Sequence, residues 1–399
     1  MTSTASNRPR IALYSHDTMG LGHIRRNTLL AQTLVKAPLS ADVLLISGIR
    51  ESGAFALPAG IDSITLPAYR KLSDGTYRSR SLDIELSRLV ALRSNTIEAA
   101  LHAWDPDLLV IDNVPRGALS ELDASLRSLK ARGNTRIVLG LRDIIDTPDV
   151  VARQWQKLDT FDTLQQFFDA IWVYGDTRVQ NTAEVYGLNT LDVPVTHVGY
   201  LDPSLRTTAQ NATSPMPEGV PYALCMMGGG QDGQAIAEAF AQSTLPAGWQ
   251  GVILTGSLMP EDTRRRLQDL VSNRADMRII EFLSEPLELI RQARAVVGMA
   301  GYNSTMEVLA LDKQVLLVPR VIPREEQWLR ANRLSALGLV DCIHPDELTP
   351  ALISEWLAKP PLPRLHHQDV LDFSGLDRVA LQAAELLATP ARRTTHVGQ

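Results

Sequence analysis

Short apolar runs alternate with stretches of helical periodicity along most of this chain of 399 residues. The alternation is typical of βαβ units, in which helices cover both faces of a parallel sheet. In the first half, the predicted strands are Ile11–Ser15, Val43–Ser47, Ser63–Leu66, Leu108–Asp112, Ile137–Leu141, Ile171–Tyr174 and Thr196–Gly199. In the second half they are Ala223–Met227, Gly251–Thr255, Met277–Phe282, Ala295–Gly298 and Val315–Val318. The sequence therefore predicts an α/β protein with mostly parallel sheets.

The strand pattern stops and restarts once, around a proline-rich stretch that is typical of a linker. We predict an N-terminal Rossmann-like domain over 1–201 and a linker over 202–221. A C-terminal Rossmann-like domain follows over 222–365, and then a C-terminal helix and tail over 366–399. Two domains are also what a chain of this length leads one to expect.

The bulk composition excludes several classes of function. The formal net charge of -6 disfavours nucleic acid as the main partner. The chain has no run of about 20 apolar residues, so we expect no membrane-spanning helix. Its polar start, MTSTASNRPR, does not match a signal peptide. We expect a cytoplasmic protein and leave open a peripheral contact with the inner membrane face.

A glycine-rich turn, Gly20-Leu21-Gly22-His23, follows the first predicted strand and leads into a helix. Such turns let the backbone approach a ligand, and the helix start favours an anion. The turn is not a dinucleotide fingerprint, because Arg25 stands where the third glycine would be. Arg25 and Arg26 oppose the helix dipole, which suggests a negative charge nearby.

His23 joins this turn to the helix and is our candidate general base, since imidazole titrates near neutral pH. A histidine that only caps the helix is the alternative. Asp112 and Asp143 lie at the ends of two predicted first-domain strands. Either aspartate could orient His23 or act as the base itself, or have no role beyond ending a strand. A role for His16 is less expected than one for His23.

A second glycine-rich turn follows the first strand of the second half. It contains Gly228, Gly229 and Gly230, followed by Gln231. Because clustered glycines cost backbone entropy, an ordinary connection would not need them, whereas a cradle of amides for phosphate would. A flexible loop is the alternative.

Two helix starts in the second half carry polar side chains that suit a sugar nucleotide. The segment Gly301-Tyr302-Asn303-Ser304 precedes Glu307, which could accept hydrogen bonds from a ribose. Asn303 or Ser304 is the predicted N-cap, and a capping box from Ser304 to Glu307 is the structural alternative. Farther on, Glu326-Gln327 opens a helix and could contact sugar hydroxyls, or it could be an ordinary acidic first turn.

The motifs GLGH, GGGQDG, GMAGYNSTMEVLAL and LLVPRVIPREEQWLRANRL together resemble the GT-B glycosyltransferases. The most similar group is glycosyltransferase 28, which includes the lipid-linked GlcNAc transferase of peptidoglycan synthesis. The resemblance is strongest over residues 222–340. It implies two Rossmann-like domains that face each other across a cleft and close over their substrates.

The resemblance also implies an activity and a set of roles. The activity is inverting, metal-independent transfer from a nucleotide diphosphate sugar, with UDP favoured, to an acceptor hydroxyl. In this resemblance Phe282 and Leu283 would border the donor's base, Glu307 would bind its ribose, and Glu326 and Gln327 would bind its sugar. The other residues expected to border the donor are Gly22, Gly228, Gly229, Gly230, Gln231, Gly301, Asn303 and Ser304. We expect no metal and no cofactor. The string Asp105-Pro106-Asp107 resembles a metal-binding D-x-D motif but stands before a buried strand, which favours a turn.

The acceptor is the least determined part of the prediction. The basic segment from Tyr69 to Arg80 is a candidate acceptor loop, and we assign Arg70 and Arg142 to acceptor binding. A small molecule, a glycan or a lipid-linked sugar could fill this role. The alternatives to transfer are a nucleotide-sugar 2-epimerase or hydrolase of the same fold, or a sensor without catalytic activity.

Overall fold

The fold is described by a computed structural model. The description covers residues 8–16, 22–49, 57–71, 76–206, 213–360 and 366–389. The chain forms two compact units. The first unit comprises Met1–Asp143, Asp149–Leu201 and Ser374–Gln399, and the second comprises Ile144–Pro148 and Asp202–Phe373.

The first unit contains a seven-stranded parallel sheet with the order β3-β2-β1-β6-β7-β8-β9. The strands are β1 Arg10–Ser15, β2 Asp42–Ser47, β3 Ile61–Thr65, β6 Leu108–Asp112, β7 Arg136–Arg142, β8 Ala170–Tyr174 and β9 Val195–His197. A separate antiparallel hairpin pairs β4, Tyr69–Lys71, with β5, Tyr77–Ser79. Every residue of β6 is buried, as expected for a parallel strand covered by helices on both faces.

The helices of this unit connect the strands and cover the sheet. They are α1 Gly22–Leu34, α2 Leu86–Trp104, α3 Asp123–Arg132, α4 Pro148–Lys157, α5 Thr160–Phe167 and α6 Thr182–Val185. Helix α2 ends where Asp105 takes a left-handed conformation with φ +48°, and its amide donates to the carbonyl of Leu101. The Asp105-Pro106-Asp107 string is thus a helix end that leads into β6.

The second unit contains a six-stranded parallel sheet with the order β12-β11-β10-β13-β14-β15. The strands are β10 Tyr222–Met226, β11 Gln250–Leu254, β12 Met277–Ile280, β13 Ala295–Gly298, β14 Gln314–Leu317 and β15 Asp341–Cys342. The helices are α7 Gln234–Ala241, α8 Glu261–Val271, α9 Leu287–Gln292, α10 Tyr302–Ala310, α11 Glu326–Ala336, α12 Pro350–Ala358 and α13 His367–Val370. Strand residues Cys225 and Ile253 pack with Phe240 of α7 and Trp356 of α12 in one buried core.

The C-terminal helix α14, Gly375–Ala388, belongs to the first unit, although it follows the second unit in sequence. It packs against α1. Arg378 donates to the carbonyl of Val198 at 3.0 Å, and Arg136 donates to the carbonyl of Thr389 at 2.5 Å. The sequence predicts this helix but not the unit on which it packs.

The predicted strands all appear, with ends within a few residues of those expected. Two predictions need correction. The long helix expected from Leu82 begins at Leu86. The basic segment expected to be a loop forms the hairpin β4–β5, because Tyr69 is fully buried while Arg70 is exposed, the alternation that a strand requires. Residues 72–75 lie outside the described residues.

A fully buried ion pair ties several elements of the first unit together. Arg93 of α2 donates from Nε and Nη2 to the two oxygens of Glu121, both at 2.6 Å. Both side chains are 0% exposed. Tyr14 of β1 and Tyr69 of β4 donate their hydroxyls to the same carboxylate. The Arg93 guanidinium also lies 4.2 Å from the Tyr69 ring centroid. One carboxylate thereby fixes β1, β4 and α2 relative to one another.

We predict that Arg93→Met lowers the free energy of unfolding by about 3–5 kcal/mol, because it leaves the Glu121 charge buried without its cation. Urea unfolding followed by circular dichroism measures the change. The double variant Arg93→Met/Glu121→Gln removes both charges and should recover part of the loss. A double variant less stable than Arg93→Met alone would contradict the ion pair as described.

Candidate active site

The strand order of each sheet reverses at one point, and some of the predicted site residues lie next to these two points. In the first unit the reversal is between β1 and β6, where Tyr14 pairs with Ile111. In the second unit it is between β10 and β13, where Met226 pairs with Gly298. Loops diverge on either side of such a reversal and leave a crevice at the carboxyl ends of the strands.

At the reversal in the first unit, His23 meets Asp112. His23 lies in the first turn of α1, and Asp112 is the last residue of β6. The Nδ1 atom of His23 is 2.5 Å from Oδ2 of Asp112. Because a carboxylate only accepts hydrogen bonds, Nδ1 carries the proton in this contact. The lone pair of the neutral imidazole is then on Nε2, the atom that a general base uses.

Arg26 completes this cluster from the next position on the same helix face. Its Nη2 atom is 2.6 Å from each oxygen of Asp112, and its Nε is 3.2 Å from Oδ1. The basic residues at the start of α1 suggested that a negative charge lies nearby. Asp112 provides that negative charge, and Arg26 is its positive partner. Although burial alone raises the pKa of Asp112, the charge of Arg26 and the hydrogen bonds from His23 and Arg26 hold that pKa well below its usual range.

His16 and Arg142 lie beside this cluster. The His16 ring centroid is 4.9 Å from that of His23, and only 9% of His16 is exposed. Burial lowers the pKa of His16 to about 3, assisted by the charges of His23, Arg93 and Arg142 and opposed by Asp112. His16 is thus neutral at neutral pH. The glycine Gly20 of the predicted turn lies outside the described residues, and Gly22 is the first residue of α1.

Asp143 directly follows β7, at a strand end as predicted, and its carboxylate binds a tyrosine. Its carboxylate accepts a hydrogen bond from the Tyr200 hydroxyl at 2.6 Å, and the residue is 0% exposed. Its carbonyl accepts from Gln180 and Thr182, both at 2.7 Å. Asp143 therefore ties together the chain that follows β7, β8 and β9. Of the two aspartates considered as partners of His23, the structure brings Asp112 to it.

The glycine-rich turn of the second unit interlocks with the turn after β11. Gly230 has φ +92°, and a Cβ there would lie 2.2 Å from the Thr255 carbonyl oxygen. Gly256 has φ +83°, and a Cβ there would lie 2.5 Å from the Gly228 carbonyl oxygen. Packing alone thus explains Gly230 and Gly256. Gly228 and Gly229 are exposed, and a Cβ at Gly228 would meet nothing within 4 Å.

The residues after this turn are also exposed. Gln231 and Asp232 are both at the surface of the unit, and Asp232 accepts a hydrogen bond from Arg320 at 2.7 Å. Gly233 caps α7, so the amides at the start of this helix lie next to the glycine turn. Backbone amides and a helix start together suit an anion.

The N-cap of α10 lies two residues before Asn303 and three before Ser304, the two positions predicted for it. This N-cap is Gly301, and Asn303 and Ser304 lie inside the first turn. The Ser304 hydroxyl donates back to the Gly301 carbonyl at 3.1 Å, and Ser304 is not the N-cap, so the capping box considered as the structural alternative does not form. Glycine at the N-cap lets the chain turn tightly from β13 into the helix, which places Asn303 and Ser304 at the carboxyl edge of the sheet.

Glu307, the predicted ribose ligand, is bound by an arginine that the sequence did not identify. Arg206 Nη2 is 2.7 Å from Oε1 of Glu307 and 3.0 Å from Oε1 of Glu285. All three side chains are at most 9% exposed. Arg206 belongs to the segment predicted as a linker, where it follows a 3-10 helix, Pro203–Leu205. Nothing in its local sequence marks it out, since its partners are distant in the chain.

The start of α11 brings Glu326 and Gln327 next to Arg320. Both residues are nearly buried, and Glu325 caps the helix. The Arg320 amide donates to the Gln327 side-chain oxygen at 3.0 Å, and its guanidinium is 3.4 Å from Glu326 Oε1. Arg330, one turn farther, is fully buried and donates to the Ala300 carbonyl at 2.9 Å. These contacts fix the side chains predicted to recognise the sugar.

Phe282 and Leu283 follow β12 at the same edge of the sheet. Phe282 is 40% exposed, which is unusual for a large apolar side chain, and Leu283 is half-buried. Apart from Gly22, which begins α1 of the first unit, the predicted donor residues lie on the turns after β10, β12, β13 and β14 or in the helices that follow them. Since these strands are parallel, all of these turns lie at the carboxyl edge of one sheet.

Comparison with known proteins identifies the second half of the chain. Residues 223–369 match the model of the glycosyltransferase family 28 C-terminal domain. No curated protein matches the chain in sequence.

Solved structures match the whole chain at the level of fold. The calicheamicin glycosyltransferase CalG4 is 18% identical with a TM-score of 0.63, covering 97% of this chain and 100% of its own. Phytolacca americana UGT2, solved with UDP-2fluoro-glucose and pterostilbene, is 15% identical with a TM-score of 0.57, covering 98% of this chain and 97% of its own. The UDP-GlcNAc 2-epimerase of Neisseria meningitidis, bound to UDP-GlcNAc, is 12% identical with a TM-score of 0.61, covering 95% and 99%.

The two parallel sheets and these structural matches define a GT-B fold, the fold of nucleotide-sugar glycosyltransferases. With a glycosyltransferase family 28 C-terminal domain in its second half, the chain is a glycosyltransferase. The family resemblance and the fold expected from the sequence are confirmed. No helix among the described residues is long and apolar enough to cross a membrane.

We predict that Arg206→Met lowers the free energy of unfolding by about 3 kcal/mol, because Glu285 and Glu307 lose the cation that bridges them while their carboxylates stay buried. Arg264→Met is the matched control. Its partner Glu281 is 54% exposed, so the loss should stay below about 1 kcal/mol. Chemical unfolding of both variants measures the difference, and equal losses would contradict the buried arrangement.

We predict that His16 makes the protein less stable in mild acid. Its native pKa of about 3 lies below the ordinary value of 6.5, so the unfolded chain takes up this proton first. The contribution is complete above pH 6.5 and is lost as the pH falls toward 3. Between pH 7 and pH 5 the loss is about 2 kcal/mol. Urea unfolding at both pH values measures this drop in the free energy of unfolding. The drop should be smaller in His16→Gln than in the parent, and an equal drop in both proteins would contradict a neutral His16.

Proposed function

We propose that this glycosyltransferase moves a sugar from a nucleotide diphosphate sugar to an acceptor hydroxyl, with inversion and without a metal ion. The observation that carries the proposal is the His23–Asp112 contact of 2.5 Å at the point where the strand order of the first sheet reverses. The family 28 domain of the second unit supports the choice of donor.

In the proposed reaction His23 is the general base. Its Nε2 takes the proton of the acceptor hydroxyl while the hydroxyl oxygen forms a bond to the anomeric carbon. The bond from that carbon to the phosphate oxygen breaks, and the nucleoside diphosphate leaves with the electron pair. A single displacement of this kind inverts the anomeric centre. Asp112 stabilises the imidazolium that forms, as the aspartate of a catalytic triad does.

Arg26 has a separate task in this proposal. It holds the Asp112 carboxylate through both oxygens, and so fixes the position of the acid that orients His23. It also keeps Asp112 ionised, because its charge opposes protonation of the buried carboxylate. The base is thereby held in one tautomer before any substrate binds.

The second unit would bind the donor. We assign the diphosphate to the exposed turn at Gly228 and Gly229, with Gln231 beside it, because the space above this backbone is open and the start of α7 follows. Such amides stabilise the charge that builds up on the leaving group. The other residues that we propose to border the donor are Gly22, Gly230, Gly301, Asn303 and Ser304.

The remaining donor contacts are assigned by chemistry. Glu307, oriented by Arg206, would accept hydrogen bonds from the ribose, and Glu326 and Gln327 would bind the sugar hydroxyls. The exposed ring of Phe282, with Leu283, would cover the nucleobase. UDP is the nucleotide we favour, by the family resemblance.

For the acceptor we propose contacts with Arg70 and Arg142. Arg70 is paired across the hairpin with Arg78, and both are exposed. Like charges directly opposite each other on a hairpin are unfavourable, so an anionic group between them would stabilise both. Arg142 ends β7, and its charge acts on His16 beside the proposed base. An acceptor that carries negative charge fits both positions.

The second candidate is epimerisation of the nucleotide sugar, favoured by the fold shared with the Neisseria meningitidis UDP-GlcNAc 2-epimerase. Analysis of the products separates the functions. A glycoside indicates transfer, an altered nucleotide sugar indicates epimerisation, and free sugar indicates hydrolysis. A thermal-shift panel of nucleotide sugars first identifies the donor, because a ligand that binds only the folded state raises its stability. No response to any nucleotide diphosphate would refute the proposal.

We predict that Asp112→Asn lowers kcat about 10³-fold while leaving the thermal shift with the donor intact, because an amide cannot stabilise the imidazolium. Asp169→Asn is the matched control, since Asp169 pairs with Arg136 in the same unit at 3.0 Å and both are 7% exposed. Initial-rate measurements with the identified donor compare the variants. If both variants lose kcat equally, a role for Asp112 in the reaction is refuted.

A further inference from the structure

A cavity of about 970 Å³ opens at the amino-terminal edge of the sheet of the second unit. Its wall is formed by the residues that precede β10, β11, β13 and β14, and by the carboxyl ends of α9 and α12. A volume of this size is ample for a small molecule. The cavity is therefore large enough to hold a ligand.

This cavity is separate from the donor residues. The turns after β10, β13 and β14 lie at the carboxyl edge of the same parallel sheet, whereas the cavity lies at the opposite edge. Strands of four or five residues separate the two edges by roughly 15 Å of sheet. The cavity does not belong to the site proposed for the nucleotide sugar.

The charges around the cavity are mostly positive. Arg291, Arg294, Lys313 and Lys359 line it, and Glu218 is the one carboxylate among its lining residues. The chain as a whole has a formal net charge of -6, so this local excess of cations runs against the overall composition. A cleft lined by charges of one sign concentrates ions of the other sign.

Two of these four cations already have partners at the end of α9. Arg291 Nε lies 3.1 Å from Glu288 Oε2. Lys313 donates to the carbonyls of Arg291 and Ala293, where a cation is favoured by the helix dipole. These contacts explain the two side chains without any ligand.

Arg294 and Lys359 have no such explanation. Within the part of the chain that the structure describes, neither side chain forms an ion pair or a hydrogen bond. Both residues are exposed at the rim of the cavity. Trp249 and Leu357 add apolar surface to the same wall. Two unpaired cations above an apolar wall suit an anion that also carries an apolar or planar part.

We propose that this cavity binds a phosphate-bearing ligand through Arg294 and Lys359. The guanidinium group binds phosphate oxygens in pairs, and the ammonium group adds a point charge. The phosphate belongs either to a small soluble molecule or to the headgroup of an anionic phospholipid. The inference does not depend on the proposed function, because none of its residues is assigned to the donor or to the base.

The test uses two probes and the full chain. Isothermal titration measures binding of inorganic pyrophosphate, and cosedimentation measures binding to phosphatidylcholine vesicles that contain phosphatidylglycerol. We expect at least one probe to bind, and the double variant R294E/K359E to weaken that binding about tenfold or more. Binding of pyrophosphate alone indicates a soluble ligand, and binding of vesicles alone indicates a lipid headgroup.

The matched control is R265E/R266E on α8, which changes the net charge equally at side chains that are 70% and 65% exposed. It should leave binding within about twofold. Circular dichroism verifies that the variants fold, and R294Q/K359Q replaces the charge reversal if that variant does not. The inference is overturned if neither probe binds, if both double variants weaken binding equally, or if R294E/K359E weakens the binding of neither probe.

Discussion

A carboxylate at the end of a buried central strand is stable only if its charge is compensated, and Asp112 is compensated from a single helix. Arg26 binds both of its oxygens, and His23 donates to one of them. The helix start, the strand end and the orientation of the imidazole are therefore fixed together. The neighbouring strands β1 and β6 bring the start of α1 to the end of β6 at the reversal of strand order. The Arg26–Asp112 ion pair thereby fixes the orientation of His23, the proposed base.

Buried ion pairs hold distant parts of the chain together in both units. Glu121 collects Arg93 and two tyrosines in the first unit, and Arg206 joins Glu285 to Glu307 in the second. Removing one partner of such a pair costs more than the pair itself contributes, since the other charge remains buried. These pairs therefore specify how elements are arranged more than they add stability. In the second unit, the ion pair with Arg206 fixes Glu307, the carboxylate proposed to bind the ribose.

Much of the fold could be predicted because parallel strands covered on both faces leave continuous apolar runs, as in Leu108–Asp112. The hairpin at Tyr69 was missed because its strands are three residues long and its pattern is dominated by basic side chains. The cap of α10 was misplaced because Asn303 and Ser304 are good caps in isolation, whereas the tight exit from β13 places Gly301 there. Local preference was overridden by the geometry of the strand that precedes the helix.

By itself, the sequence determined the alternation of strands and helices, the glycine turns and the candidate base, because these depend on patterns a few residues long. The tertiary structure decided which residues meet. It placed Asp112 rather than Asp143 beside His23, and it gave Glu307 an arginine from 101 residues earlier in the chain. It also returned helix α14 to the first unit. Such pairings depend on the order of the strands and on which charges are buried, and neither can be predicted from a pattern a few residues long.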